Sequence, residues 1–250
     1  MTGQERQFSR RRMLGWATRT AALAGGMAIG LPGRAIAAPA GAAASDPAAP
    51  HNTPARQVHD VLPSLPHDAI ALTIDDGPDP LWTPQMLELL HLNGIRATFS
   101  LIGRQAHAYP ALVQRIVAEG HSVCNHSMTH PQPFSGGNPT MIHQQIADAQ
   151  SAIVDAAGVS SRLFRAPAGD WSAGVLTTVQ NLRMVPLGWN IDPRDWSQPG
   201  TGFITSRLLA AQPGDILLCH DGGGNRAQTI ESLRTVLPTL KSRGLMFVTL

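Results

Sequence analysis

The sequence predicts an α/β fold in which parallel strands alternate with helices around a closed or nearly closed barrel. The first reason is the alternation itself. From residue 69 onward, seven short apolar segments are separated by amphipathic ones, and strand-helix-strand crossovers require parallel pairing. The second reason is that polar residues follow five of the predicted strands, which is where parallel barrels place their active sites. A doubly wound open sheet is the alternative arrangement.

The predicted strands are short apolar runs bounded by turn residues. With 43% apolar composition over 250 residues, the chain can bury one full core, so a single domain with tails is the simplest organisation. The predicted strands cover residues 69–74, 95–101, 121–125, 162–165, 184–189, 215–220 and 245–250.

The predicted helices lie between these strands, and several carry start and stop signals. Thr83 and Ser172 are candidate N-caps, and Gly94 and Gly158 are candidate C-terminal glycines. The predicted helices cover residues 83–94, 110–120, 139–158, 172–182, 202–211 and 226–244.

The first 37 residues predict a twin-arginine export signal. An arginine run within residues 9–12 precedes a weakly apolar run at 20–32 and a small-residue site at 35–37, an order typical of cleaved export signals. The apolar run is shorter than the roughly 20 residues that a bilayer requires, so no permanent membrane anchor is expected. We expect the twin-arginine translocase to export a mature chain that starts near Ala38 to the periplasm, cell surface or medium.

Composition divides the remainder of the chain into a linker and a domain. Residues 38–66 are rich in alanine and proline and predict a flexible linker, whereas residues 67–250 form the predicted catalytic domain. Removal of the signal would leave 13 basic and 16 acidic residues. Because the excess of positive charge belongs to the signal, the charge pattern does not favour nucleic acid binding.

Adjacent aspartates and a spaced pair of histidines predict a metal site. Asp75 and Asp76 end the first predicted strand, and buried neighbouring carboxylates repel each other unless a cation or an arginine compensates them. His126 and His130 follow the third strand, and a helical turn would place both imidazoles on one face. Two histidines and one carboxylate leave coordination positions open for water and substrate. Zinc is the default cation for hydrolysis, with cobalt, iron or manganese as alternatives.

Three further polar residues follow later predicted strands. Arg165 ends the fourth strand, Asp192 follows the fifth, and His220 ends the sixth. Leu218 lies on the same face of its strand as His220. Together with the predicted metal site, these residues predict metal-assisted hydrolysis.

The two cysteines, Cys124 and Cys219, each lie within two residues of a predicted site histidine. A disulfide between them is one option in an oxidising compartment, but a twin-arginine substrate folds first in the reducing cytoplasm. The simpler interpretation is that both are small buried apolar residues.

Five segments resemble, in order and spacing, the five motifs of the polysaccharide deacetylases, carbohydrate esterase family 4. They contain Asp75, His126, Arg165, Asp192 and His220, and the resemblance extends from about residue 68 to residue 250. It implies a distorted (β/α)7-type barrel of parallel strands and a metal-dependent hydrolase acting on an acetylated polysaccharide.

The resemblance also implies a role for each residue of the predicted metal site. Asp75 would be the catalytic base, with Arg165 paired to it to keep it ionised. Asp76, His126 and His130 would bind the divalent cation.

The remaining roles concern proton donation and substrate binding. His220 would be the general acid, with Asp192 as the hydrogen-bond partner that raises its pKa. Trp196 and Leu218 would form an apolar slot for an acetyl methyl group, and the backbone N–H of Ala168 would bind the oxyanion.

The sequence departs from the usual motifs at three positions. Ile74 stands where Phe is frequent, and Ala166 and Ala168 stand where Pro and Tyr are common. Loss of the tyrosine side chain opens the rim of the groove, and Trp171 could replace that platform or simply pack in the core. Asp195 is expected to give secondary support to the site.

The expected function is removal of N-acetyl groups from peptidoglycan, chitin oligomers or another acetylated polysaccharide. The same site could cleave O-acetyl esters or a non-sugar amide. A catalytically inactive carbohydrate-binding protein is a third interpretation, and the complete set of polar residues argues against it.

Overall fold

The structure is a computed structural model that describes residues 52–250. The predicted export signal and the first part of the predicted linker lie outside this range. Within it, no helix is both long and apolar enough to cross a membrane. The strands are β1 Ala69–Asp75, β2 Thr98–Leu101, β3 Ser122–Asn125, β4 Leu163–Phe164, β5 Val185–Pro186, β6 Ile216–His220 and β7 Met246–Phe247. The helices are α1 Val58–Val61, α2 Trp82–Asn93, α3 Gly103–Ala108, α4 Pro110–Ala118, α5 Pro139–Ala157, α6 Ala173–Asn181, α7 Thr201–Leu208 and α8 Ala227–Ser242.

The strands form one parallel sheet that curves into a barrel. Its order is β5-β4-β3-β2-β1-β6, and β7 pairs with the start of β1. A parallel bridge between Ile191 and Leu217 joins the segment after β5 to β6 and so connects the two sides of the ring. In a doubly wound sheet the strand order reverses at an inner strand, whereas here β1 to β5 follow in sequence. The predicted barrel is confirmed.

The observed elements differ from the predicted ones in length and in number. Strands β4, β5 and β7 have only two residues each, so the predicted strands at these places are too long. Helices α1 and α3 are short and were not predicted. The helix after β1 begins at Trp82, so Thr83 is not its N-cap; the Thr83 hydroxyl donates instead to Asp221.

Other predicted helix ends are confirmed. The Ser172 hydroxyl accepts a hydrogen bond from Val175 N at the start of α6. Gly94 and Gly158 end α2 and α5 with φ of 59° and 69°, a conformation that glycine adopts without a steric penalty.

The alternation of side chains along β1 separates the barrel interior from the helical layer. Ile70, Leu72 and Ile74 belong to the large core cluster shared with α2 and α8. Ala69 and Ala71 face the interior cluster, and their small side chains leave room for larger groups inside the ring.

The expectation that all of residues 38–66 form a flexible linker is wrong for their C-terminal part. Ala55 is 3% exposed and forms a parallel bridge with Leu187, and Val58 is fully buried in the interior cluster. Alanine and proline content predicted flexibility, but these few apolar side chains bury against the barrel. The packed domain therefore includes residues upstream of 67.

Both cysteines are free and buried, as the simpler interpretation predicted. Cys124 lies in the interior cluster and Cys219 in the outer core cluster. Burial raises the pKa of the Cys124 thiol to about 12, so the thiol stays protonated and unreactive at neutral pH.

Candidate active site

A cleft of about 720 Å³ opens at the C-terminal ends of the strands. Ten residues were predicted for the site, and the fold brings nine of them to the wall of this one cleft. The nine are Asp75, Asp76, His126, His130, Ala168, Asp192, Trp196, Leu218 and His220. The tenth, Arg165, is completely buried behind the wall.

Arg165 holds Asp75 in place from inside the barrel. Nη1 of Arg165 donates to Oδ1 of Asp75 at 2.7 Å and to the Thr73 hydroxyl at 2.8 Å. Its other nitrogens donate to the carbonyls of Leu187 and Gly188. A buried guanidinium with all three of its nitrogens hydrogen-bonded compensates the buried carboxylate. The predicted ion pair is thus present, and it leaves Oδ2 of Asp75 directed toward the histidines.

Asp76, His126 and His130 form a cluster suited to a metal ion. Their ligand atoms lie within 4.8 Å of one another, and Nε2 of each histidine is 3.4 Å from Oδ1 of Asp76. Oδ1 is buried and has no hydrogen-bond partner among the described residues. A divalent cation would satisfy this oxygen, and two imidazoles with one carboxylate match the donor set of catalytic zinc sites. The residues therefore fit a metal ion.

The local backbone of the histidine segment differs from the prediction. Residues 126–130 form an irregular loop, not a helical turn. Ser127 and His130 have positive φ, 65° and 57°, and this loop brings the two rings to a centroid distance of 4.8 Å. The Ser127 hydroxyl accepts a hydrogen bond from the His130 backbone N–H. The two histidines therefore do lie together, but on an irregular loop and not on the predicted helical turn.

Hydrogen bonding orients His126 for ligation. Its Nδ1 lies 2.8 Å from the carbonyl oxygen of Arg165, so Nδ1–H donates to that oxygen and Nε2 faces the cluster. Backbone acceptors of this kind fix the tautomer of metal-binding histidines. Arg165 thus orients both Asp75, through its side chain, and His126, through its carbonyl.

The protonation of the cluster follows from burial and mutual charge. Burial opposes ionisation of Asp76, but the proximity and charge of His126, with His220 and His130, hold the pKa of Asp76 well below its usual range. Burial also opposes the charge on His126, yet Asp75 and Asp76 raise its pKa. Burial and the charge of His126 lower the pKa of His130. The carboxylates of Asp75 and Asp76 thus favour a positive charge beside them.

The hydrogen-bond partner of His220 is Asp195, and the expectation that Asp192 fills this position is wrong. Oδ1 of Asp195 lies 2.7 Å from Nδ1 of His220, and Oδ2 accepts from the His220 backbone N–H at 2.9 Å. The Asp192 carboxylate instead accepts from the backbone N–H of Arg194. The tight turn at Asp195–Ser197, entered through Arg194 with a φ of 51°, directs the later aspartate inward.

Asp195 stabilises the protonated form of His220. Burial alone would lower the pKa of His220, but the hydrogen bond and charge of Asp195, with the charges of Asp76 and Asp75, raise it to about 9. Burial of Asp195 is outweighed in turn by His220 and Thr229, so the pKa of Asp195 is lowered. The imidazole is therefore protonated at neutral pH and able to donate a proton from Nε2.

Two residues near the start of α8 support this arrangement and were not identified from the sequence. The Thr229 hydroxyl donates to Oδ2 of Asp195 at 2.8 Å. Arg226 donates to the carbonyls of Gly222 and Trp196. Both residues lie at the start of a predicted helix, three positions apart. Nothing in the sequence indicated that this helix start packs beside Asp195.

Gly222 allows the loop after β6 to approach the metal cluster. A β-carbon at this position would lie 2.2 Å from the backbone oxygen of Asp76, closer than any side chain permits. The glycine-rich loop can therefore pack directly against the backbone of the aspartate pair.

The predicted binding residues also line the cleft. Ala168 has a φ of 55° within the turn Pro167–Gly169. Leu218 is buried and Trp196 is 55% exposed. Trp171 packs edge-on against Phe164, with 5.9 Å between ring centroids, so it has the packing role that was one of its two predicted alternatives.

Sequence and structure comparisons agree on the family. The polysaccharide deacetylase family profile matches residues 63–187. The chain is 41% identical over 188 residues to a chitooligosaccharide deacetylase of Sinorhizobium fredii, covering 70% of this chain and 87% of the relative.

Two solved structures show the same fold. One is a peptidoglycan N-acetylglucosamine deacetylase, with a TM-score of 0.71 and 32% identity over 74% of this chain and 88% of the other. The second is a carbohydrate esterase family 4 pseudoenzyme from Bacillus anthracis, with a TM-score of 0.67 and 28% identity over 72% of this chain and 63% of the other. The predicted membership is confirmed: this chain belongs to the polysaccharide deacetylase family.

Proposed function

We propose that the protein is a metal-dependent hydrolase that removes N-acetyl groups from a polysaccharide such as chitin oligomers or peptidoglycan. One observation carries the proposal. Asp75 and His220 lie opposite each other in the register of adjacent strands β1 and β6, beside the metal cluster. Asp75 is held by a buried cation and His220 by a buried anion. A base and an acid on either side of one reacting centre are what amide hydrolysis requires.

Asp76, His126 and His130 are the residues that would hold the cation. We propose zinc, with cobalt, iron and manganese as alternatives that accept the same nitrogen and oxygen donors. When bound, the cation supplies Lewis acidity, which polarises the acetamide carbonyl and makes water more acidic.

Proton transfer is assigned to the two paired groups. Asp75, with Oδ1 occupied by Arg165, takes the proton of the attacking water on Oδ2. His220 then donates a proton from Nε2 to the departing sugar nitrogen, because an amine leaves far more readily than an amide anion. Asp195 holds the ring in place and stabilises its charged form. In this scheme Asp192, which lines the cleft, has no proton to transfer.

Three residues are proposed to bind the substrate. The backbone N–H of Ala168 would donate to the developing oxyanion, a contribution of about 3 kcal/mol for a preorganised donor. Trp196 and Leu218 would enclose the acetyl methyl group. All three line the cleft.

The similarity to a pseudoenzyme makes the individual residues, not the fold, the basis of the proposal. In this chain the base, the acid, their partners and the three-residue cluster are all present and line or support one cleft. An inactive carbohydrate-binding role is therefore the less favoured interpretation. Hydrolysis of O-acetyl esters or of a non-sugar amide would use the same groups and is the main alternative.

The proposal is tested by acetate release from zinc-loaded and chelator-stripped protein. The substrates are N-acetylglucosamine oligomers, peptidoglycan, acetylated xylan and an aryl acetate. We expect metal-dependent release from an N-acetylated glycan. Release from esters alone would assign an O-deacetylase, and no release from any of the four would refute the proposal.

Export of the protein is a separate proposal. Residues 1–37 are proposed to be a twin-arginine signal, followed by a linker that now ends before the packed residues near Ala55. N-terminal sequencing of exported protein should give a start near Ala38. Retention of residues before 35 would contradict the assignment.

A further inference from the structure

Arg226 is a buried cation at the wall of the cleft that the proposed mechanism does not use. It is 3% exposed and immediately precedes α8, yet it lines the same cleft as the metal cluster. Its Nε donates to the carbonyl of Gly222 at 2.7 Å, and Nη1 lies 3.3 Å from the carbonyl of Trp196. Two of the three guanidinium nitrogens are therefore committed to the backbone.

The third nitrogen, Nη2, has no hydrogen-bond partner among residues 52–250. Across the same residues, no carboxylate lies within 4.0 Å of the Arg226 guanidinium, whereas the other buried arginine of the site, Arg165, forms an ion pair with Asp75. Burying a charged group without a counterion is costly. An unpaired, nine-tenths buried guanidinium beside a substrate cleft is thus a site prepared for an anion.

Nη2 of Arg226 lies near the metal cluster. A β-carbon on Gly223 would lie 3.3 Å from Nη2 of Arg226 and 2.9 Å from Oδ2 of Asp76. A side chain at residue 223 would crowd both groups, so glycine lets the loop pack against them, and Gly223 and Arg226 line the same cleft. A group that reaches Nη2 therefore belongs to the reacting sugar or to its neighbour in the chain.

Away from the reacting groups, the cleft wall carries two cations and one anion. Outside the metal cluster and the two proton-transfer pairs, the charged residues lining the cleft are Asp192, Arg194 and Arg226. Arg56 adds a further cation at a small adjoining pocket that shares Ala168 with the cleft. This part of the wall thus offers an anionic substituent more cations than anions.

We infer that Nη2 of Arg226 recognises a carboxylate on the glycan, carried by the reacting sugar or by the sugar next to it. This inference rests on the proposed deacetylase function and narrows its substrate to acidic glycans, for example those in which a lactyl ether bears the carboxylate. Charge-assisted hydrogen bonds from arginine to carboxylate are strong and directional. The committed Nε and Nη1 fix the guanidinium plane, and Arg226 lines the cleft with Nη2 still free to donate.

A matched pair of substrates tests the inference. Tetrasaccharides of alternating N-acetylglucosamine and N-acetylmuramic acid are compared with their carboxyl methyl esters, using the zinc-loaded full chain. For the wild type we expect kcat/KM for the acid to exceed that for the ester by about tenfold or more. In Arg226→Gln this ratio should fall to about one, and Arg226→Lys should restore part of it. Arg234→Gln, which removes an exposed charge from the same helix, should leave the ratio unchanged.

A purely structural role predicts a different result. If Arg226→Gln lowers kcat/KM for acid and ester equally, or if the wild type does not distinguish them, the inference is wrong. Failure of the proposed function is separable, because it would abolish acetate release from neutral N-acetylglucosamine oligomers as well. In that event, calorimetric titration measures binding of the acid and of the ester. Tighter binding of the acid by the wild type, lost in Arg226→Gln, supports the inference. Equal binding of acid and ester, or no binding of either, overturns it.

Discussion

The two proton-transfer groups of the site have opposite kinds of support. Asp75 is a carboxylate held by a buried arginine, and His220 is an imidazole held by a buried carboxylate; the closest contact is 2.7 Å in both pairs. Asp75 ends strand β1 and Arg165 directly follows strand β4, so the sheet positions both. Asp195 lies in a tight turn between β5 and α7. The base is therefore fixed by the sheet, whereas the acid depends on a loop.

This difference indicates where each half is vulnerable. The Arg165 side chain is satisfied by three backbone or side-chain acceptors besides Asp75, so the base has redundant support. The acid depends on Asp195, which is held by the His220 backbone N–H and the Thr229 hydroxyl. We expect substitutions in the loop to change the pH dependence of activity, and substitutions near the strands to change metal binding or the chemical step.

The largest expected effect is on the metal cluster, which lies beside the strand-supported base. His130→Ala removes one of the three cluster ligands, so bound zinc measured by atomic emission should fall from about one per chain toward zero, and acetate release should fall with it. His143→Ala, an exposed histidine on α5, is the control. Full zinc occupancy in His130→Ala would remove this residue from the metal site.

The next effect separates the two candidate partners of His220. The pKa of His220 is raised to about 9, so a required acid stays protonated below that pH and loses its proton as the pH rises through it. Asp195→Asn removes the negative charge, which lowers this pKa and moves the alkaline limb of the pH-rate profile to lower pH. We expect kcat at pH 8 to fall by about 100-fold.

Asp192→Asn is the matched comparison for Asp195→Asn. Its carboxylate bonds to the Arg194 backbone N–H and not to His220, so the alkaline limb should move little. A bound cation would lower the pKa of His220 in the wild type and in both variants. The informative quantity is therefore the difference between the alkaline limbs of their pH-rate profiles. A larger shift in Asp192→Asn than in Asp195→Asn would reverse the assignment.

The smallest expected effect concerns Thr229. Thr229→Val leaves one lone pair of the buried Asp195 carboxylate without its donor, which should lower the free energy of unfolding by about 1–3 kcal/mol and kcat by several-fold. Thr229→Ser keeps the hydroxyl and should restore most of both. Denaturant unfolding and steady-state kinetics measure the two effects. Equal losses in the valine and serine variants would mean that the hydroxyl has no role.

The sequence predicted well those features that depend on strand direction. Asp75, Arg165 and His220 follow apolar runs, and parallel strands bring their C-terminal ends to one edge of the barrel. Loop geometry was less predictable. The expected helical turn between His126 and His130 is an irregular loop, and the choice between Asp192 and Asp195 depends on a turn with positive φ at Arg194. The spacing of apolar residues along the sequence does not predict such turns.

Packing against distant segments was also beyond prediction. Residues near Ala55 read as a linker by composition, but they bridge to Leu187, more than 130 positions away. Likewise, the contacts of Arg226 and Thr229 with the turn at Asp195 depend on the position of α8 beside that turn. Local composition does not contain these contacts, because they depend on which surfaces the completed barrel leaves open.

The most direct test of the central claim measures zinc content and acetate release together in Asp75→Asn. The substituted side chain keeps the shape of aspartate but cannot accept the proton of water as a carboxylate does, so acetate release should fall by about 10²–10⁴-fold while zinc stays at about one per chain. Asp148→Asn, exposed on α5, should match the wild type in both. Near-normal acetate release by Asp75→Asn with zinc bound would contradict the assignment of the base and, with it, the account of the site.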